Sequence, residues 1–179
     1  LLAGHEEPLG VRDMNAPDTT SGFEPDGPIL LAGFGVTNQA VARAVRARGG
    51  EIVIGDDRAT DHTVETAREL GVTVSVAPDW DTLIAGAGAL MPTPGLPETH
   101  RVIAAARQAG VPILSEFDLA AAWDHRPTVM ITATNGKTTV TTLTRDMLRR
   151  SGIDAEAVGN TETPLIAAID DQSTDVFVV

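Results

Sequence analysis

The chain has 179 residues, enough for one ordinary domain and part of a second, and its 42% hydrophobic and 21% charged residues exclude disorder along the whole length. A formal net charge of −12 repels a polyanion, so no nucleic acid is expected as a partner, and the absence of cysteine excludes disulfides, thiolate metal sites and cysteine nucleophiles. No apolar run approaches the roughly 20 residues of a membrane span and no signal-peptide pattern opens the chain, so no membrane partner and a cytoplasmic location are expected.

Residues 1–27 carry three prolines and six acidic residues against one arginine, with no period of 2 or 3.6, and read as a flexible acidic leader. From Pro28 short apolar runs alternate with amphipathic ones. Ile29–Ala32 predicts a strand, Val36–Arg48 a helix ended by Gly49-Gly50, and Glu51–Ile54 a second strand. Asp61–Leu70 then reads as a helix closed by Gly71, Val72–Val76 as a strand, Asp79–Ala85 as a short helix and Ala89–Met91 as a strand. Glu98–Ala109 is a helix stopped by Gly110, and Val111–Leu114 a further strand. Strands that are apolar throughout, separated by helices, predict an α/β fold: a Rossmann-like parallel sheet covered on both faces, over residues 28–125. Glu116–Trp123 reads as helical, and Asp124-His125-Arg126-Pro127 as a boundary. Residues 126–179 read as the start of a P-loop-type α/β domain: strand Thr128–Thr132, helix Thr138–Arg150, strand Ala155–Val158, a helix near Pro164–Ile169 and a last apolar run, Val176–Val179. Leu1 in place of Met, and an end within that run, are expected of a chain cut at both ends.

Two strand-to-helix turns carry chemistry. In Gly33-Phe34-Gly35-Val36-Thr37-Asn38 the first glycine permits the tight turn and the second lets backbone N–H groups approach a diphosphate at the positive end of a helix. Asp56 and Asp57 end the next strand, about 20 residues on, where a carboxylate can accept from a hydroxyl or a base. Asn38 stands where the dinucleotide fingerprint has its third glycine, so a nucleotide or nucleotide-sugar site and a purely structural turn are both open readings.

The second turn, Thr132-Ala133-Thr134-Asn135-Gly136-Lys137-Thr138-Thr139, has the Gly-Lys-Thr core of a phosphate loop, although Ile131 replaces the first glycine of the generic pattern. Lys137 is the only lysine beside twelve arginines, and at a helix start a solvated cation meets the positive end of the dipole; binding of a triphosphate removes that conflict. Thr138 would then offer its hydroxyl to Mg²⁺. Thr93-Pro94-Gly95 follows a strand and so lies at the carboxyl edge of the first sheet. His5, His62, His100 and His125 have no metal-ligand spacing and read as solvated; Asp61, Glu65 and Glu69 read as the wet side of a helix, and Met130 and Trp123 as core or boundary packing.

The order and spacing of five segments resemble the Mur ligase family from about Pro28 to Val179: Gly33 to Thr37, Asp56-Asp57-Arg58, Thr93-Pro94-Gly95-Leu96, Thr132 to Thr139, and Val158-Gly159-Asn160. The resemblance implies an ATP-dependent ligase that adds D-glutamate to UDP-N-acetylmuramoyl-L-alanine through an acyl phosphate, in peptidoglycan precursor synthesis, with ATP and Mg²⁺ as cofactors. It implies that Gly35, Val36 and Thr37 meet the diphosphate, that Asp56, Asp57 and Arg58 surround the uracil, and that Thr93 and Gly95 lie along the uridine. Asn160 would touch the sugar-linked part. Thr134, Asn135, Gly136, Lys137, Thr138 and Thr139 would hold the ATP phosphates, with Lys137 as the catalytic cation. A magnesium-binding glutamate would follow Val179 and a carboxy-terminal amino-acid-binding domain would come later, so the 179 residues alone are expected to be inactive, and monomeric. Ala133 departs from the family's glycine, and at a positive φ it would cost about 1 kcal/mol. Another step of the same family, a nicotinamide-dependent oxidoreductase using Asp56 on a ribose, and a non-catalytic nucleotide-binding relative remain alternatives.

Overall fold

The structure is a computed structural model and describes residues 26–159 and 163–179, so the leader up to residue 25, together with His5, and Asn160 lie outside the described residues. Four parallel strands form the first sheet: β1 (Ile29–Ala32), β2 (Ile52–Asp56), β3 (Val74–Val76) and β4 (Ala89–Pro92), in the order β3-β2-β1-β4. Between them run α1 (Val36–Ala47), α2 (Asp61–Glu69) and α3 (Trp80–Ala85), followed by α4 (Arg101–Ala109) and α5 (Glu116–Trp123).

Side chains of β1 alternate between two apolar layers, as the pleat of a strand requires. Ile29 and Leu31 join α1, Ala67 of α2 and Leu119 of α5 on one face. Leu30 and Ala32 meet Trp80 and Ile84 of α3 and Val102, Ile103 and Ala106 of α4 on the other. Covering on both faces is why these strands are apolar without interruption.

The second sheet has the order β5-β7-β6, also parallel, from β5 (Thr128–Val129), β6 (Ala155–Ala157) and β7 (Val176–Val178), with α6 (Lys137–Arg150) and the short α7 (Leu165–Ala168). The apolar layer under α1 continues through Leu119 and Ala120 into Leu165, Ile166, Ile169 and Phe177, so one core serves both sheets. Arg48 strengthens this junction: it bonds Asp170 at 2.6 Å and lies 4.5 Å from the centre of the Trp123 ring.

The structure corrects three expectations. Val111–Leu114 makes a single bridge, Leu90 to Ile113, because Pro112 has no N–H to continue a ladder; its carbonyl accepts from Leu90 N at 2.8 Å and Leu114 N returns a bond to the Leu90 carbonyl. Regular pairing of β5 stops at Val129 rather than Thr132. Met130 is 69% exposed on that edge and not part of the core, whereas Trp123 is half-buried beneath Arg48. Among the described residues no helix is long and apolar enough to cross a membrane.

Candidate functional site

β1 is flanked by β2 on one side and β4 on the other, so the order of strands reverses beside it and a crevice opens at their carboxyl ends. Both first-sheet motifs converge there. Gly33 has φ +83°, and a Cβ on it would stand 2.8 Å from Thr93 Cγ2, so the turn needs glycine for conformation and for space. Gly35 caps α1 without a side-chain bond, and a Cβ on it would come 3.3 Å from Thr93 Oγ1. The turn after β1 and the turn after β4 therefore touch, and the first N–H groups of α1 are left for a ligand.

Two polar side chains brace this turn. Asn38 is fully buried; its Nδ2 donates to the Gly33 carbonyl at 2.8 Å and to the Met91 carbonyl at 3.3 Å, pinning α1 to the ends of β1 and β4. Asp56 accepts from Phe34 N at 3.0 Å and from Arg58 N at 2.8 Å. Its carboxylate thus spans two strand ends. Val36 is 69% exposed and Arg58 and Gly95 are exposed, with Thr37 and Thr93 half-buried between them.

Asp57 is equally engaged. Trp80 Nε1 donates to one carboxylate oxygen at 3.3 Å and His100 Nε2 meets the other at 2.8 Å. His100 Nδ1 accepts from Val102 N, capping α4, so the proton sits on Nε2 and is donated to Asp57. The reading of His100 as solvated is therefore corrected: it caps a helix and holds Asp57, while His62 and His125 are exposed.

In the second turn Gly136, at φ +79°, opens α6 with no side-chain cap, and Thr134, Asn135, Thr138 and Thr139 are exposed around it. Lys137 Nζ folds back to the Ala133 carbonyl at 2.5 Å. Ala133 is not at positive φ; Ala77 is the only non-glycine so placed among the described residues, and the cost foreseen for an alanine there does not arise. The donor set suits a phosphate: uncapped N–H groups at a 14-residue helix, one ammonium within reach and the Thr138 hydroxyl for a cation.

Sequence reasoning missed two residues. Arg126, read only as boundary, is the most heavily bonded side chain at the junction of the sheets. It donates to the Asp124 carboxylate from Nε at 2.8 Å and to the carbonyls of Ile169, Asp171 and Thr174, with its guanidinium 4.6 Å from the Phe177 ring centre. That hydrogen bond holds the Asp124 carboxyl below the usual carboxylate range. Glu116, at the start of α5, is buried, and burial pushes its carboxyl up against the opposing effect of a hydrogen bond from the Leu165 backbone. Asp124 is two residues from Arg126, but the carbonyl partners of Arg126 and the Leu165 partner of Glu116 lie roughly 40 to 50 residues away along the chain, beyond any local signal.

A cavity of about 450 Å³ joins the two sheets at this edge, lined by Thr37, Asn38, Thr93, Ser115, Glu116 and Gly159 among others. Asn160, expected beside it, lies outside the described residues.

No family model matches the chain. Curated proteins do. The chain is 36% identical over 155 residues to UDP-N-acetylmuramoylalanine--D-glutamate ligase of Desulfosudis oleivorans, which covers 84% of the chain and 34% of that protein. The protein of the same name from Thermobifida fusca is 37% identical, with 78% of the chain and 31% of that protein covered. The chain thus spans about a third of the length of the curated relatives it matches. Among solved structures, a UDP-N-acetylmuramate:L-alanyl-gamma-D-glutamyl-meso-diaminopimelate ligase from Neisseria meningitides superimposes with TM-score 0.51 at 20% identity, over 85% of the chain and 51% of that structure. A pseudomurein peptide ligase from Methanothermus fervidus gives TM-score 0.51 at 23% identity, over 86% of the chain and 32% of that structure. These structures agree in fold: parallel-sheet α/β domains. With the two turns in place on that fold, the chain belongs to the Mur ligase family. Both curated relatives carry the name of the D-glutamate step, and the chain matches each over about a third of its length.

Proposed function

We propose that the chain serves ATP-dependent addition of D-glutamate to UDP-N-acetylmuramoyl-L-alanine, in the cytoplasm, as part of peptidoglycan precursor synthesis. One observation carries this reading: a single chain at least a third identical to D-glutamate ligases over about four-fifths of its length sets a nucleotide turn and a phosphate loop on two adjoining parallel sheets. Residues 28–125 are assigned to the UDP-substrate and residues 126–179 to ATP. Gly35, Val36 and Thr37 meet the diphosphate with the free N–H groups of α1, while Thr93 and Gly95 flank the uridine. Asp56 and Asp57 already bond the protein, so their task at the base is to fix the backbone around it, and exposed Arg58 is the side chain free to move onto a ligand.

At the second turn Thr134, Asn135, Gly136, Lys137, Thr138 and Thr139 hold the ATP phosphates, with Thr138 a ligand of Mg²⁺. Bound there, ATP and Mg²⁺ would supply the phosphoryl group that activates the substrate carboxylate as an acyl phosphate, with ADP released; the D-glutamate amine would displace inorganic phosphate from that carbonyl to form the amide. Lys137 leaves the Ala133 carbonyl and turns to the phosphates, neutralising charge where it develops.

The test is calorimetric titration of the chain with UDP-N-acetylmuramoyl-L-alanine and, separately, with NADH. Binding of the UDP-sugar alone is expected. Binding of NADH alone would overturn the reading in favour of an oxidoreductase.

A further inference from the structure

Three elements that end or begin at the carboxyl edge of the first sheet meet on one carboxylate. Asp57 follows the last residue of β2, Trp80 opens α3 and His100 caps α4. Trp80 Nε1 donates to one oxygen of Asp57 at 3.3 Å and His100 Nε2 to the other at 2.8 Å, across 23 and 43 positions of chain. The two rings are set edge to face, with centres 5.5 Å apart and planes at 87°, so each helps to hold the other in place. Trp80 is itself 3% exposed and lies against β2 at Gly55, where a Cβ would stand 2.7 Å from its Cζ3.

Helix capping alone does not call for an imidazole. Thr60, Asp79 and Ser115 cap α2, α3 and α5 with short side chains of the kind that position favours. At α4 the imidazole does two things at once: Nδ1 accepts from Val102 N at 3.3 Å, and Nε2 keeps the proton that it donates to Asp57. His100 is also the more enclosed of the pair, its side chain 19% exposed against 39% for Asp57, so packing fixes the donor and the donor fixes the carboxylate. Asp56 braces the same turn from the other side, accepting from Phe34 N and from Arg58 N. The segment Asp56–Arg58 is thus held from the turn after β1 and from α4, and the exposed Arg58 side chain starts from a fixed point.

Resting on the assignment of this turn to the uridine end of the substrate, we propose that His100 is a positioning residue for that site: through Asp57 it holds the turn from which Arg58 reaches the base. His100 itself does not touch the ligand. Its contribution is to order the turn before binding, because a ligand group met by a pre-ordered segment is bound more tightly for the same contact. Trp80 serves the same carboxylate from α3 and shares the task. The effect of His100 on binding therefore vanishes when position 58 has no side chain to direct.

The experiment is calorimetry on the full chain with UDP-N-acetylmuramoyl-L-alanine, as a cycle of His100→Ser, Arg58→Ala and the two together. The hydroxyl of serine keeps α4 capped but is too short to reach Asp57. His100→Ser is expected to weaken binding about tenfold, equivalent to roughly 1.4 kcal/mol. His100→Gln, whose longer amide still donates to Asp57, is expected to stay within about threefold of wild type. In the Arg58→Ala background, itself weakened, His100→Ser should add less than about twofold, whereas a role in holding the fold alone would give losses that multiply. Trp80→Phe deletes the other donor and gives an independent variant, expected to weaken binding about threefold or more. Wild-type affinity in His100→Ser, in Trp80→Phe or in Arg58→Ala, or losses that multiply in the double variant, overturns the inference and leaves the nucleotide reading standing. A wild-type chain that does not bind the sugar nucleotide overturns both.

Discussion

The first sheet is sealed on both faces, with Leu30, Leu31 and Leu90 at 0% exposure, whereas the second leaves Val129 and Met130 on its edge strand and Val140, Leu143 and Met147 along α6 open to solvent. The turns differ in the same way. Around Gly33–Asn38 the side chains of Asn38, Asp56 and Thr93 interlock strand ends, while the loop at Thr132–Thr139 stands in solvent with Lys137 bonded to the Ala133 carbonyl. One pattern of alternating strand and helix thus yields a braced turn on a closed core and a solvent-facing turn on a partly open one. If the stability of the chain rests on the first sheet, substitutions in its core should cost most.

The largest effect expected of this contrast is in the closed core. Leu31→Ala removes a side chain enclosed by α1, α5 and neighbouring strands and should cost about 2 to 5 kcal/mol in denaturant unfolding. A cost below about 1 kcal/mol would mean that the first sheet is not the part that holds the chain together.

Asp124→Asn tests the junction between the sheets. It leaves Arg126, whose side chain is 19% exposed, without its carboxylate, and about 2 to 3 kcal/mol is expected at pH 7, below the figure for a fully buried pair. Because the native carboxyl sits below its unfolded range, the stabilisation is present above the unfolded value and is lost as pH falls through the native one. Wild type and variant should converge on acidification, which thermal melts from pH 7 to pH 3 would follow. A gap constant with pH would assign the cost to packing instead.

The two turns can be compared through their glycines. Gly33 and Gly136 share positive φ, so alanine should strain each by about 1 kcal/mol. Only Gly33 also has a neighbour in the way, Thr93 Cγ2 at 2.8 Å, and its alanine variant should cost about 2 kcal/mol against about 1 kcal/mol for Gly136→Ala, where nothing lies within 4 Å. Equal costs would deny that the first turn is sterically locked.

Glu116→Gln runs in the opposite direction. A carboxyl raised above its unfolded value stabilises the fold below that value and loses its contribution as pH rises through the native one. The neutral amide should therefore be more stable than wild type by about 1 kcal/mol at pH 8 and equal to it near pH 4, by thermal denaturation at both.

What is legible in the sequence follows from the range of each signal. Ile29–Ala32 and Glu116–Trp123 have the bounds their residues predict, because an apolar run and a Ser115–Asp118 capping box are local. Val111–Leu114 is apolar enough to predict a strand, yet Pro112 cannot donate to a ladder and the pairing stops at one bridge. The polar framework of the site is opaque for another reason. Asn38 bonds Met91, Asp57 bonds His100 and Glu116 bonds Leu165, and nothing in a residue's neighbours announces a partner 43 to 53 positions away. Asn38, in sequence a break in a fingerprint, is the side chain that locks the turn.

The smallest effect belongs to the open region and bears most directly on what that region is. Val140, Leu143 and Met147 recur at the spacing by which a helix buries a face, yet they are 48%, 57% and 60% exposed. If the stripe stays wet in solution, Leu143→Ala should change stability by less than about 0.5 kcal/mol, as an exposed substitution does, and the unfolding midpoint should not depend on protein concentration. If copies of the chain instead bury it against one another, the same variant would cost several times more and the midpoint of wild type would rise with concentration. Unfolding at two concentrations a hundredfold apart, wild type beside Leu143→Ala, separates the two outcomes: a flat wild-type midpoint with a near-silent variant leaves the stripe as solvent-facing surface, and any other result places it in an interface.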